Sequence, residues 1–212
     1  MIIAIDGPSA AGKSTIAKLL AKKLGIDYID TGAMYRAVAL KVIRSGIDAD
    51  DDEALTALLG KTDIDLDGSK VLLDGEDVSG LIRTGELSMA ASRISAIPVV
   101  RTKLVALQRG IGARKSVVMD GRDIGSNVFP DADFKFFITA TPEVRASRRL
   151  IELLEKGEEV SFGAVLADIQ KRDNDDTNRP LNPLVQTDDA ILVETDELSI
   201  EEVLEKTINY LQ

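Results

Sequence analysis

The sequence predicts an α/β fold of three layers, in which helices cover both faces of a central parallel sheet. Three observations support this prediction. Short apolar runs of strand length alternate with longer segments whose apolar residues follow helical spacing. The first run, residues 1–5, is almost entirely apolar, as expected of a parallel strand that is buried on both faces. A glycine-rich stretch and a helical segment follow it directly, which is how nucleotide-binding α/β units begin.

Helices are predicted next along the chain, because apolar residues recur at three- and four-residue intervals. Gly25 is expected to end the first helix, and Asp50 or Asp51 is expected to cap the third. The predicted helices of this half span residues 14–24, 31–43, 50–59, 84–95 and 98–113.

A short β region interrupts this alternation. Residues 64–73 resemble two strands around an Asp-Gly turn, and the region 63–82 is therefore interpreted as an inserted hairpin. The α/β alternation then resumes, with strands at 117–119, 134–138 and 190–193 and helices at 142–155, 162–173 and 199–211. The polar stretch 173–179 is expected to be a mobile loop or the end of a helix.

Composition narrows the possible chemistry. The chain has 212 residues, 44% of them hydrophobic, which suits one domain with a modest insertion. It contains neither cysteine nor histidine. Disulfides, thiolate metal sites and histidine bases are therefore excluded. Any acid–base chemistry falls to Asp, Glu, Lys, Tyr or water.

The charge and hydropathy of the chain indicate which partners and which cellular compartment to expect. A formal net charge of −10 repels nucleic acid and anionic membranes at long range, so neither is expected as a partner. No apolar run approaches the length of a membrane span, and no signal peptide is recognisable. We therefore expect a cytoplasmic protein with small-molecule partners.

A phosphate-binding loop is the most specific local motif. It matches G-x-x-x-x-G-K-[ST] in full and consists of Gly7, Pro8, Ser9, Ala10, Ala11, Gly12, Lys13 and Ser14. Backbone N–H groups of such a loop, and of Thr15 after it, surround phosphate oxygens at a helix N-terminus. Lys13 is expected to bridge the β- and γ-phosphates of ATP, and the Ser14 hydroxyl to bind Mg²⁺. Ala10 is expected to have a negative φ, because its methyl group disfavours the left-handed region.

Arginines suggest a second phosphorylated ligand. Guanidinium groups match phosphate geometry, and they occur near many predicted loops and helix starts of this acidic chain. These arginines are Arg36, Arg83, Arg101, Arg122, Arg145, Arg148, Arg149, Arg172 and Arg179. The Asn-Lys-x-Asp motif of GTPases is absent from the sequence.

Several strings in a fixed order identify a family. They are Asp-Thr-Gly-Ala-Met-Tyr-Arg at 30–36, Asp-Gly-Arg-Asp-Ile-Gly at 120–125, Val-Phe-Pro-Asp-Ala at 128–132 and Arg-Asp-x-x-Asp-x-x-Arg at 172–179. Together with the inserted segment 75–83, they make the chain resemble the bacterial cytidylate kinases (CMP/dCMP kinases) of the P-loop nucleoside monophosphate kinase superfamily. The resemblance covers essentially the whole chain.

The resemblance implies a site for CMP. Arg36, Arg122 and Arg172 would bind the monophosphate. Thr31, Ser92, Arg101 and Asp123 would contact cytosine, with Asp123 accepting from the amino group that uridine lacks. Asp176 and Arg179 would contact the ribose. The implied CMP site therefore contains Thr31, Arg36, Ser92, Arg101, Arg122, Asp123, Arg172, Asp176 and Arg179.

The resemblance also implies a division of the chain and a set of catalytic groups. The core would comprise about residues 1–30, 114–145 and 185–212, the monophosphate-binding part 31–113, and a helical lid 146–184. Asp120 would hold Mg²⁺ through water or orient the attacking phosphate. One or more of the lid arginines would close over the triphosphate. The implied catalytic set is Lys13, Asp120, Arg122, Arg148, Arg149 and Arg172, with Ser14 and Asp120 at the metal.

The predicted reaction is ATP-dependent phosphorylation of CMP and dCMP to CDP and dCDP, in pyrimidine nucleotide metabolism, by a monomer. Two alternatives remain open. One is a kinase that acts on another small acceptor, such as a different nucleoside monophosphate or a shikimate-like molecule. The other is a module that binds ATP without transferring its phosphoryl group. For Arg148 and Arg149, ordinary helix-surface ion pairing is the competing interpretation.

Overall fold

The computed structural model describes residues 1–68 and 70–211. The chain divides into two compact units: Met1–Tyr28 together with Ser116–Gln212, and Ile29–Lys115. The first unit contains the phosphate-binding loop, and the second contains the inserted hairpin. The assignment of core, monophosphate-binding and lid functions to segments of the chain stays a prediction.

The strands and helices alternate as the sequence predicts. The strands are β1 (Ile2–Asp6), β2 (Asp27–Asp30), β3 (Ile64–Asp67), β4 (Lys70–Leu73), β5 (Glu76–Asp77), β6 (Val117–Gly121), β7 (Phe134–Thr139) and β8 (Ile191–Glu194). The α-helices are α1 (Lys13–Leu24), α2 (Thr31–Ser45), α3 (Asp52–Gly60), α4 (Gly85–Ile94), α5 (Pro98–Gly112), α6 (Pro142–Glu155), α7 (Phe162–Asn178) and α8 (Ile200–Asn209).

The main sheet has the strand order β2-β6-β1-β7-β8. β1 pairs in parallel with β6 and β7, and β7 pairs in parallel with β8. Ile5 lies opposite both Asp120 and Phe136, so the carboxyl ends of β1, β6 and β7 meet at one edge. This confirms the predicted α/β fold with a central parallel sheet. Residues directly after these strands are brought together at that edge, where ligands of such sheets bind.

The core of the first unit forms where helices cover this sheet. Ile3 and Ile5 of β1 are fully buried and belong to the same apolar cluster as Leu20 of α1 and Val203 of α8. The run at residues 1–5 is apolar on both sides because β1 lies in the middle of a covered sheet.

The second unit combines helices with a small antiparallel sheet. α2 packs against α4, and β3, β4 and β5 pair in that order. Arg44 of α2 forms a bidentate ion pair with Glu76, and Lys41 of the same helix forms an ion pair with Asp74. These contacts attach the hairpin to α2. The predicted turn includes Gly68, which has a φ of 58°, and Ser69, which lies outside the described residues.

Several elements differ from the sequence-based expectation. The strands β2 and β5 are too short to give a clear pattern and were not expected. A π-helical turn, Ile124–Val128, follows the Asp-Gly-Arg-Asp string. α7 runs on to Asn178, so the polar stretch after residue 173 is the end of a helix and not a loop. Its polar side chains are retained in the helix because Asp173 and Asp176 each form an ion pair.

No helix within residues 1–68 and 70–211 combines the length and the apolar character needed to cross a membrane.

Candidate active site

The phosphate-binding loop connects β1 to α1. Gly7 has a φ of 145°, and a Cβ there would lie 2.0 Å from the carbonyl oxygen of Ile138 in β7. Gly12, with a φ of 90°, is the N-cap of α1, and its carbonyl accepts from the N–H groups of Thr15 and Ile16 at 3.1 Å. The loop therefore presses against the sheet at its first residue and turns into the helix at its sixth.

The backbone conformation of Ala10 differs from the sequence-based expectation. Its φ is 59°, in the left-handed region, and not negative as its side chain would favour. The methyl group packs against an apolar cluster of α6 and α7 that contains Ala146 and Ile169. The loop must close between a strand and a helix that are fixed by the fold, and this constraint outweighs the preference of one alanine, which is worth about 1–2 kcal/mol.

Lys13 is buried, and its ammonium group donates to the carbonyl oxygen of Pro8 within the loop at 2.6 Å. Burial, together with the charge of Arg122, lowers the pKa of Lys13 to about 7, while nearby carboxylates act in the opposite direction. The structure therefore places this amine inside the loop, beside a second cation, where an anionic ligand would favour its charged form.

Ser14 and Asp120, the two residues predicted to bind the metal, are hydrogen-bonded to each other. Ser14 Oγ donates to Asp120 Oδ2 at 2.7 Å, and Tyr28 Oη donates to Asp120 Oδ1 at 2.8 Å. Within the described ranges, no cluster of three or more His, Cys, Asp or Glu side chains could hold a metal ion. One carboxylate and one hydroxyl nevertheless fit Mg²⁺, which keeps most of its ligands as waters and substrate phosphates.

Tyr28 was not predicted as a functional residue. It is the second residue of β2, a strand that the sequence pattern did not reveal, so its hydroxyl could not be placed beside Asp120. The ammonium group of Lys18 lies 5.5 Å from its ring centroid. Asp6 was also missed, although it directly precedes the loop. It is buried and accepts from backbone N–H groups of the π-helical turn.

Arg122 and Arg172 lie in the same unit as the loop. Arg122 Nε donates to Asp176 Oδ2 at 2.6 Å, and this ion pair holds the pKa of Asp176 below its usual value although burial alone would raise it. Burial lowers the pKa of Arg172, and the charge of Arg122 lowers it further. The Nε–H of Arg172 is buried without a hydrogen-bond partner. A buried donor of this kind has a free-energy cost that an anionic ligand would remove.

Asp123 and Arg179 form a buried ion pair. Arg179 donates to Asp123 Oδ1 at 3.0 Å, and the exposed fractions of the two side chains are 5% and 7%. Asn127 donates to the other oxygen, Oδ2, at 3.0 Å. The contact of Asp123 with cytosine, and that of Arg179 with ribose, stay predictions.

The lid arginines differ in their surroundings. Arg149 forms an exposed i,i+3 ion pair with Glu152. This contact is what the competing interpretation expects, in which Arg149 is an ordinary cation on the helix surface. Arg148 reaches the end of β8 and donates to the side chain and the carbonyl oxygen of Thr195. Neither arrangement tests their predicted role at the triphosphate.

Arg145 lies one turn before Arg148, and all three nitrogens of its guanidinium group donate hydrogen bonds. It donates to both oxygens of Asp173 at 2.9 and 2.6 Å, and to the carbonyl oxygens of Ala140 and Ser9 at 2.8 and 3.1 Å. Its side chain joins α6, α7 and the phosphate-binding loop.

The remaining predicted residues lie in the second unit. Arg36 pairs with Asp30 at 3.1 Å, and its Nε–H is buried without a partner. Thr31 and Arg101 are buried, and Arg101 donates to the carbonyl oxygen of Ser95 at 3.1 Å. Ser92, on α4, is half-buried.

Structural comparison supports the fold. A shikimate kinase from Bacteroides thetaiotaomicron aligns over 100% of this chain and 98% of its own, with a TM-score of 0.51 and 14% identity. A gluconokinase from Sinorhizobium meliloti aligns over 99% and 90%, with a TM-score of 0.50 and 13% identity. At such identities the likeness concerns the fold alone.

Sequence comparison identifies the family. The Cytidylate kinase family profile matches residues 3–212. A cytidylate kinase from Caldanaerobacter subterraneus subsp. tengcongensis is 55% identical over 204 residues, covering 96% of this chain and 91% of its own. One from Clostridioides difficile is 49% identical over 209 residues, covering 99% and 97%. Since the profile spans almost the whole chain and these relatives are about half identical to it, this chain belongs to the cytidylate kinase family.

Proposed function

We propose that this protein transfers the γ-phosphoryl group of ATP to CMP and dCMP, giving CDP and dCDP. The observation that carries the proposal is a group of three cations in the first unit, of which Lys13 is buried and Arg122 and Arg172 are half-buried. Burial lowers the pKa of Lys13 and that of Arg172, and the charge of Arg122 lowers both further. Like charges in a poorly solvated site repel one another, and polyanionic ligands would relieve that repulsion.

The donor nucleotide would occupy the loop. Backbone N–H groups from Gly7 to Thr15, at the N-terminus of α1, would surround its phosphates, and Lys13 would leave the Pro8 carbonyl to reach the β- and γ-phosphates. Ser14 and Asp120 would hold Mg²⁺, which supplies positive charge to the phosphates when it is bound.

The acceptor would use the residues that the family resemblance assigns to CMP. Arg172 and Arg36 support this assignment, because each has a buried Nε–H without a partner and a phosphate oxygen would accept from it. Cytosine would be preferred over uracil if Asp123 accepts from the cytosine amino group, since uracil would leave that carboxylate with an unfavourable contact.

The chemistry needs no histidine. The acceptor phosphate oxygen is already an anion at neutral pH, so no strong base has to remove a proton before it attacks. The bond from the acceptor oxygen to the γ-phosphorus forms while the bond to the β,γ-bridging oxygen breaks, and ADP leaves. The contribution of this chain is positioning and neutralisation of charge by Lys13 and the arginines. A lid formed by α6 and α7 would exclude water from the reaction.

The proposal is tested by mixing the protein with ATP, Mg²⁺ and one acceptor at a time, and measuring ADP release. CMP and dCMP should give rates far above the blank, and UMP, AMP and shikimate should give lower rates. A rate with CMP equal to the blank would contradict the proposal. A preference for AMP or shikimate would support a kinase of different specificity, and ATP binding without ADP release under any condition would support a non-catalytic module. Monomeric state and cytoplasmic location stay predictions.

A further inference from the structure

Asp6 occupies a specific position in the first unit. It is the last residue of β1, directly before Gly7 of the phosphate-binding loop. Its side chain is buried, with 6% of the residue exposed. Oδ1 accepts from the N–H of Ile124 at 2.8 Å, and Oδ2 accepts from the N–H of Gly125 at 2.7 Å. Both oxygens are thus used on consecutive residues of another segment.

That segment follows the residues predicted to bind the acceptor. Ile124 and Gly125 begin the π-helical turn directly after Arg122 and Asp123. Later N–H groups of the turn have a backbone acceptor: those of Asn127 and Val128 donate to the carbonyl oxygen of Asp123, the residue before the turn, at 3.0 and 3.1 Å. The first two N–H groups instead have the Asp6 carboxylate as their acceptor, so Asp6 fixes the start of the turn.

The turn has little room to move away from this carboxylate. A Cβ on Gly125 would lie 3.1 Å from Cδ of Lys135 and 3.4 Å from Oδ2 of Asp6. Glycine therefore lets the backbone lie between the lysine stem and the carboxylate. The tight packing makes the position of residues 122–125 depend on the Asp6 side chain.

The arrangement has an energetic cost. Burial raises the pKa of Asp6 to about 6, and the charge of Asp123 adds to this, although the two N–H groups and Lys13 oppose it. An asparagine would avoid the buried charge, but it has one acceptor oxygen and would turn an NH₂ group towards the second N–H. A carboxylate is the side chain of this size that satisfies both donors.

We infer that Asp6 is a positioning residue for the acceptor. Its carboxylate fixes Arg122 and Asp123 relative to the phosphate-binding loop, which begins at Gly7, directly after Asp6. The inference rests on the proposed function, because it assigns the acceptor to Arg122 and Asp123. Donor and acceptor must be aligned for in-line transfer, and a misplacement of about 1 Å can lower the rate about 100-fold.

The test compares Asp6→Asn with a matched control, Asp133→Asn. Asp133 also accepts from a backbone N–H of β1, that of Ile2 at 2.6 Å, but at the opposite end of the strand and away from the loop. Asp6→Asn should raise KM for CMP about tenfold or more and reduce the preference for CMP over UMP, because Arg122 and Asp123 shift. The Kd for ATP, measured by calorimetry without acceptor, should change less than about threefold, since the loop keeps its own contacts. Asp133→Asn should leave KM, kcat and the CMP preference unchanged.

Asp6→Glu keeps the charge but moves the carboxylate by one methylene, and it should show the same selective loss. It also serves as the informative variant if Asp6→Asn does not fold. Unchanged KM and kcat for CMP in these variants would overturn the inference. It would also be overturned if ATP binding weakened as much as the activity, and if activity on CMP and on UMP fell equally, because such uniform losses indicate a merely structural role. Wild-type protein that releases no ADP with CMP would refute the proposed function itself, which is a separate result.

Discussion

Ser14 Oγ donates to Asp120 Oδ2 over 2.7 Å, so the last residue of the loop motif is joined to a strand 106 residues further along the chain. The bond exists because β1 and β6 are neighbours in the sheet and both end at the same edge. Tyr28 binds the second oxygen of the same carboxylate. Both hydroxyl groups therefore help to orient Asp120, and a metal held by Ser14 and Asp120 would depend on them.

Tyr28→Phe should raise the Mg²⁺ concentration needed for half-maximal activity by about tenfold, because partners that orient a ligand contribute about 10–100-fold to metal affinity. The Mg²⁺ dependence of ATP binding, measured by calorimetry, should shift in the same direction. Tyr210→Phe is the control, because Tyr210 is half exposed and packs edge-on against Phe136. An unchanged Mg²⁺ dependence in Tyr28→Phe would show that the Tyr28 hydroxyl does not help to orient the carboxylate.

Gly7→Ala should destabilise the protein by several kcal/mol or prevent folding, because its Cβ would lie 2.0 Å from a backbone carbonyl oxygen of β7. Gly12→Ala is the comparison. Its φ is also positive, but a Cβ there meets no atom within 4 Å, so its cost should be the left-handed backbone alone, about 1–2 kcal/mol. Urea unfolding of the two variants measures the difference. Equal losses would show that the contact with Ile138 is relieved by a small shift of the loop.

Ala10→Gly should stabilise the protein by up to about 1 kcal/mol, since glycine adopts a φ of 59° without strain and the lost contacts of a half-buried methyl group offset part of the gain. Ala11→Gly should instead destabilise it by about 1 kcal/mol, because Ala11 is buried in the core and its φ is not positive. The midpoints of thermal unfolding should move in opposite directions. A decrease for both variants would mean that packing of the Ala10 methyl group against α6 and α7 outweighs the backbone strain.

Arg145→Lys should destabilise the protein by about 2–4 kcal/mol. The guanidinium group makes four contacts from three separate nitrogens, whereas lysine has three donors on a single nitrogen, so some partners of this buried side chain would stay unsatisfied. Arg149→Lys, at an exposed ion pair on the same helix, should change stability by less than about 0.5 kcal/mol. Denaturant unfolding distinguishes the two. A small effect of Arg145→Lys would imply that water replaces the guanidinium in these contacts.

Asp6 should make the stability of the protein depend on pH. Burial raises its pKa to about 6, against 3.8 for an ordinary aspartate, so the folded state binds this proton more tightly than the unfolded chain. The penalty for the buried charge is fully present above about pH 6 and decreases as the pH falls towards 3.8. Between about pH 7.5 and about pH 4.5, wild type should gain about 2 kcal/mol relative to Asp6→Asn. A difference that stays constant over this range would show that the Asp6 pKa is not raised.

Helix and strand positions follow closely from the sequence where the apolar pattern is long. The helix predicted at 142–155 is α6 itself, and of the two predicted N-caps of α3, Asp50 and Asp51, it is Asp51 that accepts from the N–H of Ala54. Short elements escape prediction: β2 has only four residues, and with it the position of Tyr28 beside Asp120 was missed. α7 was predicted too short because its last turns carry polar residues, whose partners lie far away in the sequence.

The α/β alternation, the phosphate-binding loop and the family could be predicted from the sequence alone, because spacing and motif are properties of neighbouring residues. The positive φ of Ala10, the contacts of Asp120 with Ser14 and Tyr28, and the hydrogen bonds of Asp6 with residues 124 and 125 became evident in the folded chain. Each depends on strands that are distant in the chain but end at one edge of the sheet. Strand order and register, which bring those ends together, arise from packing of the whole unit and leave no local pattern in the sequence.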